Sequence, residues 1–204
     1  MMRSICRHSS LFFFIGGICL LSAVLPLSLT LSFLLSSFLH ECGHLAAMRL
    51  QGIPIRAFRM HIGGAVLIAA TESVSYPKEI VCAAAGPAVN ALLASLFHNS
   101  ALPHAKTFAL CNLLLLCYNL LPLWGNDGTV ILTAAAEQLG CGERIRPILS
   151  TVCHALTVML WMFGAWVLWY GALSDPHGRS FGYGILFFFA AIRLWSGIDP
   201  SRPT

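Results

Sequence analysis

Long apolar stretches, separated by short polar segments, dominate the pattern of this sequence. A membrane-spanning helix needs about 20 mostly apolar residues. The apolar run from Ser10 to Leu39 is too long for one span, and Leu25-Pro26-Leu27 is its natural turn. The predicted spans cover approximately residues 10–25, 28–50, 80–97, 106–124, 148–172 and 181–197, and a further helical piece covers about 128–139. The pattern predicts an all-α membrane protein, a polytopic bundle of about six transmembrane helices.

The segment after the second predicted span, residues 51–79, carries several charged residues and one short apolar run. This run, from Met60 to Ala70, is too short to cross a membrane. Gly63 and Gly64 lie inside it and favour a turn. We therefore expect a short hairpin or a re-entrant segment here. An extended segment of this kind would offer a free strand edge to an unwound peptide, which makes Gly63 and Gly64 candidate substrate-binding residues.

The composition also indicates lipid as the main solvent. Hydrophobic residues make up 57% of the chain and charged residues only 10%, against about 25% charged in soluble domains. The 204 residues are expected to form a single integral-membrane domain over residues 1–204, without an appended soluble domain. The sequence has no basic run and no basic-aromatic patch, so nucleic acid is not expected as a partner.

The positions of the basic residues predict the orientation of the chain. If the N-terminus is cytosolic, every Lys and Arg except Lys106 and Arg179 lies in a cytosolic segment. Cytosolic loops of membrane proteins carry an excess of Lys and Arg. We therefore expect a multi-pass protein of the cell membrane with both termini in the cytosol.

The candidate chemistry begins with His40-Glu41-Cys42-Gly43-His44 in the second predicted span. Residues four apart lie on one helical face, so both imidazoles can bind one zinc ion. Glu41 projects beside that face, where its carboxylate can take a proton from an attacking water. The alternative is a polar patch satisfied by neighbouring helices, but burying two imidazoles and a carboxylate in lipid without a metal is costly.

Asp127 is the candidate third ligand. Catalytic zinc usually takes three protein ligands and keeps one position open. Pro122, Gly125 and Gly128 interrupt the helix around Asp127, and broken backbone at membrane depth is tolerated where it lines a cavity or is buried in protein. The second and fourth predicted spans run in the same direction, so both groups are expected toward the cytosolic side. Alternatively, Asp127 merely caps the helix after Asn126.

Four stretches in order resemble the site-2 protease family of intramembrane zinc metalloproteases, and within it the stage IV sporulation FB proteases. The matching stretches are His40-Glu41-Cys42-Gly43-His44, Gly63-Gly64-Ala65-Val66, Ala85-Gly86-Pro87 with Asn90, and Asn119-Leu120-Leu121-Pro122 through Asp127-Gly128. The resemblance covers about residues 10–140, the expected catalytic core. Gly86, Pro87 and Asn90 are expected to serve close helix packing.

The resemblance implies one Zn²⁺ per chain, held by His40, His44 and Asp127, with Glu41 as the catalytic base. It implies that Asn119 lies near the active site and contacts substrate. The implied reaction is hydrolysis of a peptide bond in or near a transmembrane segment of a membrane-tethered protein. The sporulation proteases further imply a pro-sigma factor as substrate and an inhibitory membrane protein as partner.

The chain departs from the family pattern around Asp127. The family usually has Pro-Leu-Asp-Gly-Gly, whereas this chain has Gly125-Asn126-Asp127-Gly128-Thr129. No nucleotide-sensing CBS domain, often present in the sporulation proteases, is expected after the last span. Two other functions stay open: a divalent-metal transporter that uses the same polar residues as a transit site, and a catalytically inactive membrane scaffold.

Overall fold

Helices and one two-stranded hairpin make up the part of the chain that the structure, a computed structural model, describes: residues 25–61, 64–69 and 74–174. The elements in chain order are α1 (Leu27–Leu50), β1 (Ile55–His61), β2 (Gly64–Ala69), α2 (Tyr76–Phe97), α3 (Ala105–Leu120), α4 (Asp127–Gln138) and α5 (Gly142–Ser174). The first and last predicted spans, about 10–25 and 181–197, lie outside the described residues.

Proline residues set several of the helix ends. The carbonyl of Pro26 accepts the backbone N–H groups of Leu29 and Thr30, both at 3.0 Å, and so begins α1. The third helix, α3, ends at Leu120 rather than near residue 124 as predicted. Leu121 is extended, with φ −62° and ψ 139°, because the residue before a proline, here Pro122, is disfavoured in the helical region.

The segment for which a hairpin or a re-entrant segment is predicted contains the two strands. The strands β1 and β2 pair antiparallel, with Ile55 opposite Ala69 and His61 opposite Gly64. Residues 62–63 lie outside the described residues, so Gly63 is not placed, and Gly64 is the first residue of β2. The hairpin follows α1, the helix that contains His40-Glu41-Cys42-Gly43-His44.

The second helix, α2, lies at the centre of the bundle and packs against α1, α3 and α4. The helices α1 and α2 cross closely at Gly43. A β-carbon added to Gly43 would lie 2.8 Å from the carbonyl oxygen of Ala85 and 2.9 Å from Cγ2 of Val89. Small residues that allow such close approach are typical of helix contacts in membranes.

The distribution of polar and apolar side chains is inverted relative to a soluble protein. On α1, Ser36 is 0% exposed and its neighbour Leu35 is 51% exposed. Most buried positions in the bundle carry Ala, Ser, Thr, Asn, Gly or Cys, while many Leu, Phe and Trp side chains face outward. Water disfavours such a surface and lipid does not.

Two of the described helical segments are long and apolar enough to cross a membrane: Tyr76–Phe97, which is α2, and Gly142–Val167 within α5. The apolar helix α3 is shorter. Together with the outward-facing apolar side chains, these helices indicate a membrane location. The number of spans stays a prediction.

Candidate metal centre

The three side chains that the sequence predicts as metal ligands meet at one point. His40 and His44 lie one turn apart on α1, and Asp127 is the first residue of α4. The Nε2 atoms of the two imidazoles are 3.0 Å apart. Oδ2 of Asp127 lies 3.2 Å from Nε2 of His40, and Oδ1 lies 3.4 Å from Nε2 of His44. The start of α4, a helix that packs against α2, therefore completes with the two histidines of α1 a group that could hold a metal ion.

The spacing and chemistry of this group fit zinc. Two ligand atoms bound at 2.0–2.2 Å with tetrahedral angles lie about 3.3 Å apart. The two Nε2 atoms are 3.0 Å apart, and they lie 3.2 and 3.4 Å from different oxygens of the Asp127 carboxylate. Oδ2 of Asp127 is buried, and apart from its 3.2 Å contact with Nε2 of His40 it has no hydrogen-bond partner among the described residues. Two imidazoles and one carboxylate are a donor set that suits zinc well.

The remaining ring nitrogen of each histidine contacts α2. Nδ1 of His44 lies 2.8 Å from the backbone carbonyl oxygen of Cys82. Since a carbonyl oxygen only accepts, this Nδ1 carries the proton and donates it, and Nε2 keeps a lone pair for a metal. Nδ1 of His40 lies 3.1 Å from the carboxamide nitrogen of Asn90.

Gly86 brings the backbone of α2 directly against the ligand nitrogens. A β-carbon added at this position would touch Nε2 of His44 and would lie 2.7 Å from both Cε1 and Nε2 of His40. The backbone of α2 therefore closes one face of the site. The sequence assigned Gly86 and Asn90 only to helix packing. The available signal was the four-residue spacing of Cys82, Gly86 and Asn90, which matches the spacing of the two histidines.

The turn that presents Asp127 is held by side chains at positions where the sequence departs from the family pattern. The buried carboxamide of Asn126 donates to the carbonyl oxygen of Tyr118 at 2.7 Å. The buried hydroxyl of Thr129 donates to the carbonyl oxygen of Leu123 at 2.6 Å. Both bonds connect the start of α4 to the segment before it. The residues that differ from the family pattern, Asn126 and Thr129, therefore stabilise this turn themselves.

Two further contacts fix the same turn. A β-carbon added to Gly128 would overlap the carbonyl oxygen of Leu120, so only glycine fits there at this separation. From α5, the thiol of Cys153 donates to the carbonyl oxygen of Pro122 at 2.9 Å. The break between α3 and α4 is thus partly packed inside the protein: Leu123 and Asn126 are buried, and Leu121 and Gly125 are exposed.

The other predicted site residues are Glu41, Asn119, Gly63 and Gly64, and none of them belongs to the group of three candidate ligands. Glu41 is half-buried on α1, next to His40. The half-buried carboxamide of Asn119 donates to the carbonyl oxygen of Leu115 in its own helix at 3.0 Å. Gly64 begins β2, and Gly63 lies outside the described residues. The roles of these four residues stay predictions.

The fold is similar to that of a known protease. No protein-family model matches the sequence, and no curated protein does. Among solved structures, the chain is similar to the Site-2 Protease from Methanocaldococcus jannaschii, with a TM-score of 0.62 and 21% sequence identity. The match covers 95% of this chain and 88% of that chain. At this identity the similarity establishes the fold.

Proposed function

We propose that this chain is an intramembrane zinc metalloprotease of the site-2 type. It hydrolyses a peptide bond in or near a transmembrane segment of a membrane-tethered protein. The observation that supports this most is the meeting of His40, His44 and Asp127, whose candidate ligand atoms all lie within 4.8 Å of one another. The similar fold of a site-2 protease supports the same function.

In the proposed mechanism, His40, His44 and Asp127 hold one zinc ion. Bound zinc polarises a carbonyl and lowers the pKa of water. The Glu41 carboxylate takes the proton of the attacking water and delivers it to the nitrogen of the leaving amine. Cys82 keeps the His44 ring in the orientation that directs Nε2 at the site, because its carbonyl oxygen accepts the Nδ1 proton.

The substrate must unwind before it can be cut. A helical peptide bond hides its carbonyl in a hydrogen bond to the residue four positions on. An unwound strand would pair with the edge of the β1–β2 hairpin, and Gly63, Gly64 and Asn119 are the proposed substrate-binding residues. Because Gly86 brings α2 against the ligands, the substrate approaches from another side of the site.

The proposed topology has six spans, both termini in the cytosol and the active site toward the cytosolic face of the cell membrane. His44 lies six residues before the end of α1, about 9 Å along the helix axis. The site is therefore nearer the end of α1 that leads into the hairpin. A pro-sigma factor as substrate, a role in sporulation and an inhibitory membrane partner are supported by the sequence resemblance alone.

Replacing the base tests the function directly. Wild type and Glu41→Gln would be reconstituted in liposomes with candidate single-span substrates, and cleavage would be followed by gel and mass spectrometry. We expect Glu41→Gln to bind zinc as the wild type does and to cleave about 10²- to 10⁴-fold more slowly, because the proton acceptor is lost. The control is Glu143→Gln, which changes an exposed acid at the start of α5 and should cleave normally.

Two results would overturn the protease proposal. Zinc flux into the liposomes without cleavage would indicate a transporter. Binding of the substrate without cleavage or flux would indicate a scaffold. Removal of zinc with a chelator should stop cleavage, and added zinc should restore it.

A further inference from the structure

Three positions on one face of α2 contact the two histidines of α1. Cys82, Gly86 and Asn90 are spaced by four residues, so they lie above one another along that face. The Cys82 carbonyl contacts Nδ1 of His44, Gly86 contacts the ligand nitrogens, and Asn90 contacts Nδ1 of His40. Each histidine therefore hydrogen-bonds to α2 through Nδ1, the ring nitrogen directed away from the metal site, while Gly86 packs against the Nε2 side.

The two histidines differ in how this contact is made. His44 is fixed by a backbone carbonyl, which every residue type at position 82 would supply. His40 is fixed by a side chain, the carboxamide of Asn90, which is 0% exposed. A ligand that binds through Nε2 needs its proton on Nδ1, and that proton needs an acceptor. For His40, the acceptor has to come from Asn90.

A carboxamide keeps its shape when its oxygen and nitrogen exchange places. With the nitrogen toward His40, Nδ1 must accept, and the ring proton then lies on Nε2, which removes the lone pair that faces Asp127. In that orientation the Asn90 oxygen is buried and has no donor among the described residues. If the oxygen is turned toward His40, Nδ1 can donate its proton to that oxygen. The turn breaks no existing hydrogen bond to the oxygen, because the oxygen has none in the other orientation.

We propose that Asn90 is a positioning residue for the metal centre: its carboxamide oxygen accepts the Nδ1 proton of His40 and thereby directs the Nε2 lone pair at the metal. This inference deepens the proposed function and rests on it for the identity of the metal. It assigns to Asn90 a role at the ligand set beyond close helix packing. Asn90 acts through His40 and contacts neither substrate nor metal.

Zinc affinity of the purified full-length chain in detergent, measured by competition with a chromogenic chelator, tests the proposal without substrate. We expect Asn90→Leu, which cannot accept a hydrogen bond, to bind zinc about 10- to 100-fold more weakly. Asn90→Asp keeps an acceptor and should bind zinc at least as tightly as the wild type. The matched control is Asn112→Leu, since Asn112 is equally buried but bonds to Ser36 and Phe108; its zinc affinity should not change.

Equal zinc affinity in Asn90→Leu and the wild type would overturn the proposal, as would an Asn90→Asp variant as weak as Asn90→Leu. If the variants do not fold, ¹⁵N-histidine NMR of the zinc-loaded wild type decides. Both zinc-shifted rings should carry their proton on Nδ1, and a zinc-shifted ring with its proton on Nε2 would contradict the proposal. A chain that passes these tests but cleaves no substrate would contradict the protease function and leave the role of Asn90 intact.

Discussion

At the scale of single residues, the absence of a side chain at position 86 shapes the metal centre. The two imidazoles and the backbone of α2 are so close that no β-carbon fits between them. A glycine here allows close helix packing, and it also leaves the ligand nitrogens in place. Gly86 therefore connects the packing of α1 and α2 to the chemistry of the site.

Gly86→Ala should weaken zinc binding on the order of tenfold or more, because the added methyl group displaces the ligand nitrogens of His40 and His44. Zinc affinity and thermal unfolding would be measured on the same preparation. The control is Gly43→Ala, whose methyl group would meet the Ala85 carbonyl instead. This control should lose about 1–3 kcal/mol of stability through overpacking and retain more of its zinc affinity. Equal losses of affinity in both variants would mean that Gly86 acts through packing alone.

The sequence predicted the grouping of His40, His44 and Asp127 better than it predicted the surroundings of this group. His40 and His44 could be paired from their spacing within one helix, and Asp127 from its place in a broken apolar segment. The contacts of Gly86 and Asn90 depend on how α1 and α2 are aligned with each other. The pattern within a single helix does not contain this alignment, so these roles needed the structure.

At the scale of elements, the turn between α3 and α4 determines where the third ligand lies. Its backbone is held from three directions by the side chains of Asn126, Thr129 and Cys153. The carbonyls of Tyr118 and Leu123 also accept backbone N–H groups, at 3.2 and 3.0 Å, so Asn126 and Thr129 add a second hydrogen bond to each where the helix is interrupted. These hydrogen bonds therefore fix the position of the turn, and with it the position of Asp127.

Thr129→Val tests the importance of this turn. The change keeps the shape of the side chain and removes the 2.6 Å bond to the Leu123 carbonyl. We expect a loss of about 0.5–1.5 kcal/mol of stability, because one buried hydrogen bond is lost while the Leu123 carbonyl keeps the Asn126 N–H as a donor, together with weaker zinc binding. Thr133→Val is the matched control, since that hydroxyl bonds only to carbonyls of its own helix; thermal unfolding and zinc affinity should stay near wild type. The same zinc affinity in Thr129→Val and wild type would show that the turn holds Asp127 without this bond.

Within the described residues, hydropathy predicted which helices exist and was less accurate about their ends. The helix α2 begins at Tyr76, before the predicted start near residue 80, and its first turn contains Pro77, Lys78 and Glu79. Proline is favoured in a first helical turn, and an acidic residue there is stabilised by the helix dipole. A prediction based on stretches of apolar residues leaves such residues out. It therefore locates the apolar part of a helix and misses polar turns at its ends.

At the scale of the whole molecule, the metal centre connects elements that are distant in the chain. The ligands come from α1 and α4, and α2 packs against both of these helices. A bound ion would therefore stabilise the packing of three helices at once. Metal binding and the stability of the bundle should be coupled.

Removal of zinc should lower the unfolding temperature, and zinc at about 100 times its Kd should restore about 2.7 kcal/mol. His44→Ala should lose this zinc-dependent stabilisation, because one ligand is missing. His154→Ala is the matched control, since His154 is exposed on α5 and bonds to Ser150; it should keep the full effect. Differential scanning fluorimetry in detergent measures all three proteins. A zinc-dependent shift that survives in His44→Ala would place the ion elsewhere.

The distance along the chain between the histidines and Asp127 also has a consequence for biosynthesis. While the ribosome is still adding the residues of α2 and α3, the histidine pair has already been made and its carboxylate partner has not. A nascent chain in the translocon therefore lacks the complete ligand set until α4 has emerged. The proposed cleavage of other membrane proteins would therefore begin only after most of the bundle has been inserted.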